Sequence, residues 1–124
     1  MTPYRIDIST RVEYLPEQSD STEPSFAFAY TITIRNVGEV AATLLRRHWL
    51  VTDADGREEI VDGEGVIGHQ PTLEPGEVFE YTSGAVLRTP VGTMEGHYHM
   101  HAEDGTEFEA PIPVFGLTVP GVLN

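Results

Sequence analysis

Apolar side chains fall at every second position over several stretches of this chain, and no stretch keeps the wider spacing of a long amphipathic helix. Phe26, Phe28, Tyr30, Ile32 and Ile34 share one parity, and Ala27, Ala29, Thr31, Thr33 and Arg35 share the other. That alternation predicts a half-buried strand, closed by the turn signal Asn36-Val37-Gly38. Ile6, Ile8, Thr10, Val12 and Tyr14 predict an earlier strand, separated from it by the polar loop 16–24. Further strands are expected over 43–53, 57–61, 77–82, 93–101 and 106–115, parted by Asp53-Ala54-Asp55-Gly56, Pro75-Gly76 and Glu103-Asp104-Gly105. About seven strands at short spacing predict an all-β protein, an immunoglobulin/fibronectin type III-like antiparallel β-sandwich.

Individual residues sharpen that picture. The third strand carries Trp49, the only tryptophan, where such sandwiches often bury one. Apolar residues on both parities of this strand leave one arginine of Arg46-Arg47 either inside or packed on an aromatic, and a β-bulge would explain that. Tyr98 lies two residues before Met100, the spacing of a tyrosine corner. Pro111 and Pro113 lack the same-side N–H groups, so the last strand belongs at an open sheet edge.

The last hairpin can be counted. With Tyr98 and Met100 inward, and Phe108, Ala110, Ile112 and Val114 inward, directly opposed residues must share a face. A two-residue turn would set His101 against Phe108. A three-residue loop, Glu103-Asp104-Gly105, sets His101 against Glu107 and His99 against Glu109, with Gly105 left-handed.

Composition narrows the function. The chain has 124 residues, enough for one core. A single domain over 1–124, with a short flexible tail from about 118, is expected. There is no cysteine, which removes disulfides, thiolate metal sites and cysteine nucleophiles. Twenty acidic residues against 7 basic ones give a formal charge of −13. Such a field opposes nucleic-acid phosphates and anionic membranes. No window reaches 18 consecutive apolar residues, so no membrane insertion is expected, and the N-terminus lacks the pattern of a secretory signal. A cytoplasmic location follows as the expectation.

Four constellations could carry chemistry. Gly63-x-Gly65-x-x-Gly68 matches a phosphate-binding spacing, but no helix of useful length can follow it, and Asp62 and Glu64 oppose an anion there. Any grip on pyrophosphate or a phosphorylated nucleotide would rest on a backbone nest and be weak. His97, His99 and His101 share one strand face. Imidazoles suit borderline divalent metals, yet residues two apart on a strand are about 7 Å apart, so one ion needs help from neighbouring strands. The acidic run from Asp53 to Glu64 lacks calcium-loop spacing and reads as a solvated face. Arg46 and His48, beside Arg47 and Trp49, form the only basic cluster and a candidate interaction site for a carboxylate or phosphate. No catalytic set emerges, and no cofactor is expected.

The strings Leu45-Arg46-Arg47-His48-Trp49, Gly63-Glu64-Gly65-Val66-Ile67-Gly68, Leu73-Glu74-Pro75-Gly76-Glu77, Phe79-Glu80-Tyr81-Thr82-Ser83-Gly84, Met94-Glu95-Gly96-His97-Tyr98 and Ile112-Pro113-Val114-Phe115 together resemble the ApaG family over nearly the whole chain. The resemblance implies a fibronectin type III-like fold, a link to cobalt and magnesium resistance or efflux, and use as a protein-interaction module inside larger proteins. It implies no enzymatic activity. The expected function is a non-enzymatic binding module for a protein partner or a second copy. The alternative is a weak binder of a phosphorylated nucleotide at the glycine loop or of a divalent metal at the histidine face.

Overall fold

A computed structural model describes residues 3–20, 22 and 24–122. Its regular structure is eight strands and one 3-10 turn (Pro16–Gln18): β1 (Ile6–Tyr14), β2 (Phe26–Asn36), β3 (Ala42–Asp53), β4 (Glu58–Glu64), β5 (Thr72–Leu73), β6 (Val78–Leu87), β7 (Val91–Ala102) and β8 (Glu107–Thr118). The order β1-β2-β6 in one antiparallel sheet faces β4-β3-β7-β8 in the other, with β5 pairing the start of β3. This is the sandwich that the alternation predicts. The seven expected strands are all present, and the additional one is β5, a two-residue strand too short for any period to reveal.

The core lies where the inward parities meet. Phe28, Ile32 and Ile34 of β2 pack with Leu44 and Trp49 of β3, and with Tyr98 and Met100 of β7. Trp49 is 2% exposed, and the rings of Tyr30, Tyr98 and Phe115 surround it, Tyr30 at 5.4 Å edge-on. Tyr98 does not form a tyrosine corner. Its hydroxyl lies 2.6 Å from that of Tyr81 in the opposite sheet, so two phenols satisfy each other in the core instead of reaching the backbone. Burial is the main force pushing both phenols well above the ordinary tyrosine value, and for Tyr98 the bond to Tyr81 pushes the same way. Asn36 is also buried. Its Nδ2 donates to the Val40 and Leu73 carbonyls and its Oδ1 accepts the Gly38 N–H, all within 2.9 Å.

Two bulges redirect side chains. Along β3 the register with β7 shifts between Leu44 and Arg46, leaving Leu45 unpaired. That slip lets Leu44 and Arg47 both turn inward. Along β8 it shifts opposite Met94 and Gly96, so Pro113 and Val114 together stand against Glu95. Val114, expected inward, is therefore 60% exposed, and Phe115 takes the inward place against Trp49.

The hairpin between β7 and β8 has the counted register. His99 opposes Glu109, His101 opposes Glu107 and Met100 opposes Phe108. Ala102 N–H donates to the Thr106 carbonyl across the three-residue loop, and Gly105 is left-handed at φ 90°. Tyr4, from the segment before β1, donates its hydroxyl to Asp104 of this loop. That bond is the main reason the Asp104 carboxyl sits below the ordinary range. Strand β8 is a sheet edge, as its prolines require. It runs to Thr118, and Val119 packs on the core. Residues 123 and 124, part of the tail expected from about 118, lie outside the described residues.

Candidate functional site

The outward face of the larger sheet is built by parity and register. On β3, Arg46 and His48 point out on either side of inward Arg47. On β7, His97 and His99 point out on either side of buried Tyr98. Pairing sets Arg46 beside His99 and His48 beside His97. Strand β4 adds Glu64 next to Arg46 and Asp62 next to His48. Strand β8 adds Glu109 next to His99 and Glu107 next to His101. The result is a ladder of four columns, acidic, basic, imidazole and acidic, across the width of the sheet.

Distances confirm close engagement. His48 Nδ1 lies 2.6 Å from Asp62 Oδ1. His97 Nε2 lies 3.3 Å from Glu109 Oε2, and His99 Nε2 lies 2.5 Å from Glu107 Oε1. The histidines therefore reach diagonally as well as straight across. The rings of His48 and His97 stack with centroids 4.9 Å apart and planes 19° from parallel. Arg46, His48, His97, His99 and Asp62 line a shallow cavity of about 250 Å³. Among the described residues, Arg46 meets no carboxylate at ion-pair distance.

Three separate sequence features thus converge. The basic cluster and two of the three histidines share one cavity. His101 stands apart, opposite Thr43 and Glu107 at the end of the ladder. Asp62 comes from the acidic run, read as a solvated face, and its place beside His48 is what the sequence reading did not draw. It was countable: the turn at Asp53-Gly56 pairs Thr52 with Glu58, and stepping inward gives His48 with Asp62. Among the described residues, no group of three or more His, Asp or Glu side chains is arranged to hold a metal ion.

The glycine segment lies at the border of this face, and its atoms serve the fold. Gly63 falls inside β4 opposite Arg47, and a Cβ there would meet the Arg47 guanidinium at 2.7 Å. Arg47 Nη1 donates to the Glu64 and Gly65 carbonyls at 3.1 and 2.9 Å. Gly65 has φ 60°, and a Cβ would stand 2.2 Å from the His69 carbonyl oxygen. Its N–H donates to the bulged Leu45 carbonyl, while Val66 and His69 bond each other reciprocally. Ile67 and Gly68 both have positive φ, at 43° and 82°, which is a tight reversing turn. The N–H groups of Gly65, Val66 and His69 that a nest would offer to an anion are engaged within the loop.

A three-on-five antiparallel sandwich is of the immunoglobulin/fibronectin type III-like class. The comparisons place it further. The ApaG domain model matches residues 16–102. A Protein ApaG of Ralstonia nicotianae is 56% identical over all of both chains. One from Thiobacillus denitrificans is 59% identical, covering 98% of this chain and 95% of its own. The crystal structure of a Bordetella pertussis protein superposes with a TM-score of 0.94 at 48% identity, covering 98% of each chain. The chain belongs to the ApaG family.

Proposed function

We propose that this chain is a non-enzymatic protein-interaction module, working in the cytoplasm, that binds through the outward face of the β4-β3-β7-β8 sheet. The carrying observation is the ladder. Arg46 sits exposed at its centre and makes no ion pair among the described residues, with the His48–His97 stack beside it, and the outer strands hold an acidic rim. Such a centre fits one acidic group of a partner, and the rim fits basic residues around it. The carboxylates orient the imidazoles, and rigid strands hold the whole array, so little order has to be gained on binding. On this reading the link to cobalt and magnesium tolerance that the family resemblance implies is carried by the partner.

The test is an NMR titration with peptides in which one glutamate or phosphoserine is flanked by lysines, beside pyrophosphate and Co²⁺. The expected result is saturable shifts centred on Arg46, His48, His97 and His99 with the peptides, abolished by Arg46→Glu. Absence of a saturable shift at millimolar peptide would sink the reading. Tight Co²⁺ binding at His97 would replace it with the metal alternative, and tight pyrophosphate binding at Gly65 with the phosphate alternative.

A further inference from the structure

The two flanks of the sandwich are closed differently. On one side β1 of the small sheet runs along β8 of the large one. On the other, between β4 and β6, the sheets part around a cavity of about 410 Å³, within the size range of small-molecule sites. Its walls are Tyr30, Trp49, Val51, Val61 and Met94 from within, and Ala85 and Val86 from the edge strand β6. Val86 is 63% exposed at the mouth.

Two polar groups at this cavity are unlike the rest of the interior. The first is Arg47, a cation turned inward by the Leu45 bulge. Its guanidinium is held by two backbone carbonyls, and among the described residues it meets no carboxylate. A guanidinium has five N–H donors, so some remain. The second belongs to Trp49 of the wall, whose Nε1 is buried behind the cavity surface and has no acceptor among the described residues. Buried donors are rarely left unsatisfied. Ser83 adds a hydroxyl, and Glu59 stands at the rim.

We propose that the cavity between β4 and β6 binds a small molecule that carries one carboxylate on an aromatic body. Arg47 provides the charge partner, with a planar fork suited to a carboxylate. The aromatic and branched walls enclose the ring. Glu59 opposes a doubly charged phosphate more than a singly charged carboxylate. Arg47 lines both this cavity and the shallow one on the outward face, so a variant at a residue of this cavity alone is needed to tell the two sites apart.

Trp49 is the only tryptophan and forms part of the wall, so its fluorescence and its indole N–H resonance report occupancy. Phenylacetate is titrated into the full chain, with phenylacetamide and inorganic phosphate as comparisons. Phenylacetate should bind saturably, shift the Trp49 indole signal, and bind about tenfold or more tightly than the amide. Arg47→Met should reduce phenylacetate to the level of the amide. Because Arg47 also braces the loop at Gly65, that variant could lose its fold, so Ala85→Phe is the second arm. It fills the cavity without touching the guanidinium and should abolish binding. No saturable change with phenylacetate, equal binding of phosphate, or unchanged binding in folded Ala85→Phe would overturn the proposal.

Discussion

The centre of the sandwich and its β4/β6 flank both hold polar groups away from water, and they treat them in opposite ways. At the centre the phenols of Tyr81 and Tyr98 bond each other, and all three side-chain hydrogen bonds shown for Asn36 are made inside the fold. At the flank Trp49 has a buried N–H with no acceptor and Arg47 has a charge with no counter-charge among the described residues. A satisfied polar network fixes a unique core. At the flank the same two residues serve the fold, Trp49 in the core and Arg47 bracing the Gly65 loop, yet keep donors that the fold leaves unused.

The largest expected effect tests whether the glycine segment belongs to the fold. Gly65→Val puts a branched side chain at φ 60° and into the His69 carbonyl, and should cost about 4 kcal/mol by urea denaturation. A loss below about 1 kcal/mol would mean that the loop rearranges freely and is no structural brace. Next comes Asn36→Ala. It strands two carbonyls and one N–H, and should cost about 3 kcal/mol in the same assay.

The tyrosine pair gives a third measurement. Tyr98→Phe leaves the buried Tyr81 hydroxyl without its partner and should cost about 1–3 kcal/mol. The double variant with Tyr81→Phe should cost no more than the single one, since both polar groups then leave together. Strict additivity would break the claim that the phenols satisfy each other. The same pair predicts alkaline sensitivity. Both folded-state values are raised, first by burial, so their contribution is whole below the unfolded tyrosine value, about 10, and falls as pH rises beyond it. The chain has no lysine, so tyrosines dominate that range. The urea midpoint should drop between about pH 10 and 11 in the parent chain, and less in the double variant. The smallest effect belongs to the outward face. His99→Gln removes one exposed hydrogen bond with Glu107 and should change stability by less than about 1 kcal/mol, while weakening any partner that uses the ladder.

Much of this architecture was legible residue by residue. The β7–β8 register followed from parity plus a glycine able to turn left-handed, because a hairpin's register is local. An inward arginine at a bulge was one of two readings of the apolar residues on both parities of β3, but which arginine turns in depends on where the bulge falls, at Leu45. Val114 was misplaced because its bulge sits opposite Glu95 in the middle of a strand whose alternation looks regular through Ile112. The stacking of His48 on His97 was not legible. Each histidine's face was readable, but β3 and β7 are joined through β4, β5 and β6, and nothing local sets their relative register. The Tyr81–Tyr98 bond crosses between sheets and depends on how they pack, so the tyrosine-corner spacing gave the wrong partner. The seam cavity escaped for a related reason: it exists only once β4 and β6 fail to meet.

The bond from Tyr4 to Asp104 joins positions 100 residues apart, and its ring lies 5.6 Å from that of Phe108. The segment before β1 thus rests on a loop made 100 residues later. On the ribosome β1 can pair β2 early, but it stays unclasped along its other side until the β7–β8 hairpin emerges. Contacts of such separation make folding slow, and a nascent chain exposes its β1 edge during that wait. The prolines of β8 guard the finished molecule on this side; before that strand is made, the growing chain depends on its speed and on whatever holds it in the meantime.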